Sequence, residues 1–122
     1  MVKNTIALLL LVCSVKLTAQ AQLKFTNAKQ NFGFVKKGEQ VKLTYQFTNT
    51  GNQPLLITET KVECSCTKVS FSKEPVLPGK TANIEVVFDT SPTYDRQDRT
   101  VEVFSNGTGS PQKIRFKGVV KN

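Results

Sequence analysis

The sequence of 122 residues contains no histidine and no tryptophan, and Met1 is its only methionine. Without histidine, the chain can form no Ser-His or Cys-His nucleophile pair, no His-ligated zinc or haem site and no imidazole proton shuttle. No other catalytic, cofactor or metal motif stands out, so we expect a protein that is not an enzyme. Its 39% hydrophobic and 21% charged residues are typical of one small globular domain.

The N-terminal segment has the pattern of a secretory signal peptide. Lys3 precedes an apolar run over residues 6–13, and Ala19-Gln20-Ala21 is a small-x-small cleavage pattern. The run is far shorter than the ~20 apolar residues that a membrane-spanning helix requires, so no membrane span is expected. Cys13 follows Val12 and not a small residue, which argues against a lipid anchor. The sequence predicts a signal peptide over residues 1–21 and one domain over 22–122.

The rest of the chain has the period-two pattern of β-strands. Apolar and polar residues alternate over residues 41–48, 82–88 and 114–120, and more weakly over 55–62 and 101–104. Turn signals rich in glycine and proline separate these runs. About seven short strands of this kind predict an all-β protein, an antiparallel β-sandwich of immunoglobulin type.

The formal net charge of +8 raises the question of an anionic partner. The lysines are spread along the whole chain and fall on the polar faces of the best-defined strands, which indicates solvated faces and no nucleic-acid partner. Attraction to an anionic envelope surface or glycan stays open and would depend on salt. The alternating charges of residues 95–99 predict a solvated hairpin turn.

The sharpest chemical feature is Cys64-Ser65-Cys66, which holds the two cysteines of the predicted domain. In an extended strand, cysteines two residues apart have Cα atoms about 6.6 Å apart, near the upper limit for a disulfide, so a bond between them needs a local bend. The pair is open to three interpretations: a structural pair, oxidised or not; a redox-active dithiol; and a soft-metal or intermolecular link. No methionine or histidine follows to complete a Cu(I) site.

Several motifs in order resemble the DUF1573 family over nearly the whole predicted domain. They are Asn31-Phe32-Gly33-Phe34-Val35, the stretch 45–51, Cys64-Ser65-Cys66-Thr67, Leu77-Pro78-Gly79-Lys80 and the endings at 84–90, 103–106 and 116–120. The resemblance implies an exported immunoglobulin-like domain of Bacteroidota, similar to PapD-like and ASH modules, most often periplasmic, whose biochemical role is unassigned. It also implies that Cys-x-Cys is a family feature. Ser65 stands where such proteins often have glycine, which eases a sharp bend, so the departure argues against a disulfide within the motif.

The shared motifs are mostly explained by the fold. Gly33 is expected at a bulge or a close approach, Pro78-Gly79 at a turn, and Asn49-Thr50-Gly51 at a turn where the glycine can take a positive φ. The predicted core contains six aromatic residues: Phe32, Phe34, Tyr45, Phe47, Phe88 and Phe116.

Two hypotheses of function follow. The first is a non-enzymatic binding or assembly module of the cell envelope, which recognises another envelope protein through an exposed strand edge. The alternative is a thiol-dependent role, either disulfide exchange or Cu(I) binding, through Cys64 and Cys66. The sequence does not indicate which strand edge is used or what the oligomeric state is.

Overall fold

The computed structural model describes residues 19–122, and the predicted signal peptide lies outside the described residues except for its last three. The described chain forms eight strands: β1 Leu23–Phe25, β2 Lys29–Lys36, β3 Gln40–Asn49, β4 Ile57–Val62, β5 Thr67–Phe71, β6 Thr81–Asp89, β7 Asp95–Ser105 and β8 Gln112–Lys121. From residue 19 onward, no helix is long and apolar enough to cross a bilayer.

The strands form two four-stranded sheets. The first sheet has the order β1-β3-β6-β5 and the second has the order β2-β8-β7-β4. The predicted all-β sandwich is confirmed, but it is not antiparallel throughout, because β2 and β8 run parallel. Residues 26–28, with bends at Thr26 and Ala28, carry the chain from β1 in the first sheet to β2 in the second. The N–H of Thr26 donates to the carbonyl of Gln46 in the first sheet, and the carbonyl of Ala28 accepts from the N–H of Arg115 in the second.

The hydrophobic core lies between the two sheets, because alternate side chains of each central strand point inward. Tyr45 of β3 is fully buried, and its hydroxyl donates to the carbonyl oxygen of Arg115 in the opposite sheet at 2.8 Å. Burial raises the pKa of Tyr45. Phe88 and Phe116, also from opposite sheets, pack with ring centroids 5.2 Å apart. The other buried members include Val41, Phe47, Ile84, Val86, Val101, Val103, Ile114 and Val120.

Phe34 does not belong to the core, so that prediction was wrong. Its side chain is 71% exposed. The pairing of β2 with β8 shifts between Asn31 and Gly33, and Gly33 has a φ of 76°, as expected for a bulge. The extra residue changes the alternation, so that Phe32 and Val35 pack against the core while Phe34 faces solvent.

Gly51 is required for a close approach and not for a positive φ, which corrects the prediction made for it. A Cβ atom at Gly51 would lie 2.1 Å from the carbonyl oxygen of Gln20. The main chain of Gln20 bonds at both ends to Asn52, and the carbonyl of Ala21 accepts from the N–H of Thr108 at 3.0 Å. Ala21 is only 4% exposed. The fold therefore anchors Gln20 and Ala21; the predicted cleavage after Ala21 stays a prediction.

The charged residues 95–99 are not a hairpin turn but the first half of β7, paired in regular register with residues 116–120 of β8. The alternating polar residues concealed this strand, because the side chain that points inward at its centre is Gln97, which is 7% exposed. Asp98 forms an ion pair with Arg115 across the sheet. Asp95, with a φ of 68°, begins the strand after the loop from β6.

Candidate functional site

The Cys64-Ser65-Cys66 segment forms the turn by which the chain crosses from β4 of the second sheet to β5 of the first. The N–H of Thr67 donates to the carbonyl of Cys64 at 3.0 Å and closes the turn. The bend brings the Cα atoms of Cys64 and Cys66 to 5.1 Å, closer than in an extended strand, and the two sulfur atoms are bonded as a disulfide. Ser65 thus occupies the bend without a glycine.

The two cysteines differ in exposure. Cys66 is 7% exposed and belongs to the core, whereas Cys64 is partly buried and packs against it. Within residues 19–122, no three His, Cys, Asp or Glu side chains lie close enough together to hold a metal ion. Both cysteines therefore pack in or against the hydrophobic core. The disulfide-exchange and Cu(I) hypotheses stay predictions.

β5 follows this turn directly and is an edge strand of the first sheet. The N–H of Asp89 on β6 donates to the carbonyl of Cys66 at 2.8 Å, which fixes which residues of β5 face β6. Since main-chain groups of alternate residues point to opposite sides of a strand, Lys68 and Ser70 bond to β6, whereas Val69 and Phe71 direct their N–H and carbonyl groups outward. The register of β5 on β6 has no shift along its five residues.

The other edge of the first sheet is short and covered. β1 has only three residues. The side-chain amide of Gln112 donates to the carbonyl of Leu23 at 2.6 Å and occupies an outward group of this strand. β1 therefore has little free main chain for a further strand.

Both edges of the second sheet are interrupted by bulges. On β2, the side chain of Asn31 accepts the N–H of Gly33 at 2.8 Å, and Glu39 bonds to both main-chain groups of Lys36. On β4, the register on β7 shifts between Ile57 and Glu59. Bulges of this kind protect edges from pairing with another chain. Of the four edges in the described part of the chain, only β5 is both longer than three residues and regular.

A small set of polar side chains surrounds the β5 edge. Lys68 and Ser70 point to the outer face of the sheet and are exposed. Asp89 lies at the end of β6, where hydrogen bonds from Ser91 lower its pKa, with a smaller contribution from the charge of Lys68. The edge is thus polar on its solvent side, while Val69 and Phe71 pack against the core. The arrangement offers main-chain hydrogen bonds, and no group on it is placed for acid-base chemistry.

The sequence indicated the motif next to this edge but not the edge itself. The predicted strands do not include residues 67–71, although Thr67, Val69 and Phe71 alternate with polar residues. That alternation was the available signal. Whether an edge is open depends on which strand pairs with it, and a local pattern does not contain this information.

The chain matches the sequence model of a protein family. A family model described as "Protein of unknown function (DUF1573)" matches residues 23–120, which confirms the resemblance noted from the motifs. A search of curated proteins finds no significant match.

Among solved structures, the chain is similar to a protein of unknown function from Porphyromonas gingivalis W83, with a TM-score of 0.72 and 16% identity. It covers 83% of this chain, which in turn spans only 48% of that protein. The ASH / PapD-like domain 7 of human CEP192 has a TM-score of 0.65 at 9% identity, over 85% of this chain and 88% of that domain. The E. coli chaperone DraB follows at 0.56 and 10% identity, over 83% of this chain and 55% of the chaperone. At these identities the likeness is one of fold.

Proposed function

The chain belongs to the DUF1573 family of proteins of unknown function, and we propose that it is an exported, non-enzymatic binding or assembly module of the bacterial cell envelope. Its partner is another envelope protein, which adds an extended segment to the free edge of β5. The export pattern of residues 1–21 supports the compartment, and the periplasm is the proposed location. The observation that carries the proposal is the contrast between the regular β5 edge and the three interrupted or covered edges.

Strand addition needs outward main-chain groups in a regular row, and β5 provides them at Val69 and Phe71. The disulfide-closed turn at Cys64–Cys66 holds the start of this row, because the carbonyls of Cys64 and Cys66 bond to Thr67 and Asp89 respectively. Such an edge binds mainly through main-chain hydrogen bonds, and the side chains on alternate positions give specificity. The exposed side chains of Lys68 and Ser70 are placed to contribute that specificity.

Site-specific photo-crosslinking tests the proposal. A photoreactive residue replaces Ser70 on β5, and in the matched control it replaces Lys24, which is exposed on β1 at the opposite edge of the same sheet. Irradiation in the envelope extract of the producing bacterium is expected to give one dominant adduct from position 70 and none from position 24. Equal adducts from both positions, or none from position 70, would contradict the proposal.

A proline variant tests whether main-chain pairing is responsible. Val69→Pro removes one outward N–H without removing a bond to β6, and proline is tolerated on edge strands in this orientation. We expect the fold to persist and the position-70 adduct to be lost. Val69→Ala is the matched control, because it loses a similar amount of packing but keeps the N–H, and it is expected to retain the adduct. Retention of the adduct in both variants would show that the edge is not paired.

A further inference from the structure

The outer face of the second sheet carries an exposed aromatic and basic surface far from the β5 edge. We define the β2–β8 face by six residues: Phe34, Lys36, Tyr94, Arg96, Lys117 and Lys121. The register places them together, because Val119 of β8 pairs with both Phe34 and Arg96, and Lys121 pairs with Lys36. Tyr94 immediately precedes Asp95, whose register partner is Val120.

The four cations of this face form no close ion pair. In the described part of the chain the one ion pair within 4 Å joins Arg115 to Asp98, so Lys36, Arg96, Lys117 and Lys121 have no carboxylate at that distance. Three carboxylates adjoin the face: Asp95 at the start of β7, Glu39 beyond the end of β2, and Asp98, which pairs across the strands with Lys117 and forms its ion pair with Arg115. The cations outnumber them, so the face attracts anions.

The face is also apolar at its centre. Phe34 is 71% exposed and Tyr94 is 59% exposed, the two most exposed aromatic side chains of the described residues. The ammonium group of Lys121 lies 4.3 Å from the centroid of the Phe34 ring. Beside Phe34, an open groove of about 440 Å³ is lined by Gly33, Gly118 and Val119. A ring this exposed on a sheet face is available for contact with another apolar group.

We propose that the β2–β8 face docks the protein on an anionic phospholipid surface, with Phe34 and Tyr94 at the headgroup level and the four cations against lipid phosphates. Aromatic rings favour the membrane interface, and each nearby lysine or arginine adds to the attraction. An extended polypeptide fits less well, because the bulge at Gly33 and the bonds of Glu39 to Lys36 leave β2 without a regular edge. The cations span β2, β7 and β8 in two dimensions, which suits a surface better than a single strand.

Co-sedimentation with lipid vesicles tests this docking. Vesicles of phosphatidylglycerol and phosphatidylcholine at a ratio of about 3:7 are compared with pure phosphatidylcholine, using the protein purified after export. We expect binding to the anionic vesicles alone, and its loss when salt rises from about 0.05 M to about 0.5 M, where screening is strong. Lys117→Glu/Lys121→Glu is expected to weaken binding at least about twentyfold. The matched control on the first sheet, Lys24→Glu/Lys42→Glu, is expected to change binding less than about threefold, because those residues lie on the opposite face.

The aromatic contribution is tested separately. Phe34→Ser is expected to weaken vesicle binding about tenfold. Leu77→Ser, which changes a side chain that is 56% exposed elsewhere, serves as the control and is expected to have no effect. Circular dichroism and thermal unfolding confirm that each variant folds.

Three results would overturn the proposal: equal loss of binding in the two double variants, equal binding to neutral vesicles, or preferred binding of soluble polyglutamate or polygalacturonate at the same anion concentration. The last result would assign the face to an acidic polypeptide or glycan. Because the crosslinking site at Ser70 lies on the other sheet, failure of vesicle binding leaves the proposed strand addition untouched, and failure of crosslinking leaves the lipid proposal untouched.

Discussion

The two sheets have similar interiors but leave different groups unpaired at their surfaces. The first sheet has a polar outer face, on which Thr44 donates to Glu85 at 2.8 Å, and it ends on the open edge of β5. The second sheet has bulges on both edges, while its outer face presents Phe34 and the unpaired cations around it. Outward main-chain groups are thus available for binding on the first sheet, whereas aromatic and basic side chains are available on the second. The comparison teaches that a single sandwich can offer two binding surfaces of unlike chemistry.

The largest change in the free energy of unfolding is expected in the core between the two sheets, where the sheets are alike. Phe88→Ala should lower the free energy of unfolding by about 3–5 kcal/mol, because the ring is fully buried against Phe116. Phe34→Ala should change it by no more than about 0.5 kcal/mol, because that ring is exposed. Urea unfolding of both variants measures the difference. Equal losses would mean that Phe34 is packed and that the two sheets do not differ at this position.

Truncation tests the segment that precedes β1. A chain that begins at Gln22 loses the buried Ala21 and the hydrogen bonds of residues 20 and 21 to Asn52 and Thr108. Compared with a chain that begins at Gln20, it should be less stable by about 2–3 kcal/mol in chemical denaturation. Equal stability of the two chains would show that this segment does not secure the β1 side, and the mass of the exported protein shows which form is made.

The turn that joins the two sheets is tested by Cys64→Ser/Cys66→Ser. Because the disulfide closes a very short loop, its loss should lower the free energy of unfolding by only about 1–2 kcal/mol in denaturant experiments. We expect the crosslink from Ser70 to persist, because the main-chain bonds of β5 to β6 remain. Loss of the crosslink without loss of stability would instead support the thiol-dependent role.

The smallest effect concerns one carboxylate on each sheet. The pKa of Asp98 on the second sheet is lowered mainly by its hydrogen bond from Arg115, and that of Asp89 on the first sheet mainly by Ser91. Each contribution to stability is therefore present above the ordinary aspartate pKa of about 4 and is lost as pH falls through the lowered value. In NMR titrations, Arg115→Gln should raise the pKa of Asp98 and leave that of Asp89 unchanged. A common shift of both groups would contradict the separate causes.

The sequence predicted those parts of the fold that depend on local alternation. Tyr45 and Phe47 on β3, and Phe88 and Phe116 on β6 and β8, are buried as their period-two pattern indicated. The family resemblance held over the length of the domain.

The wrong predictions share a physical cause, which is pairing between distant parts of the chain. The bulge at Gly33 turned Phe34 outward, and the close approach of Gln20 explains Gly51 without a positive φ. The strand over residues 95–99 is held by its register on β8 and not by an apolar pattern. For the same reason, the local sequence pattern could predict neither the open edge of β5 nor the grouping of Lys117 and Lys121 beside Arg96.

Amide hydrogen exchange along β5 tests the central claim most directly. In the isolated protein, the N–H groups of Val69 and Phe71 are predicted to exchange almost without protection, while those of Lys68 and Ser70, bonded to β6, exchange slowly. On addition of the partner captured at position 70, Val69 and Phe71 should become protected. Protection of all four amides in the isolated protein, or no change at Val69 and Phe71 when the partner binds, would contradict the account.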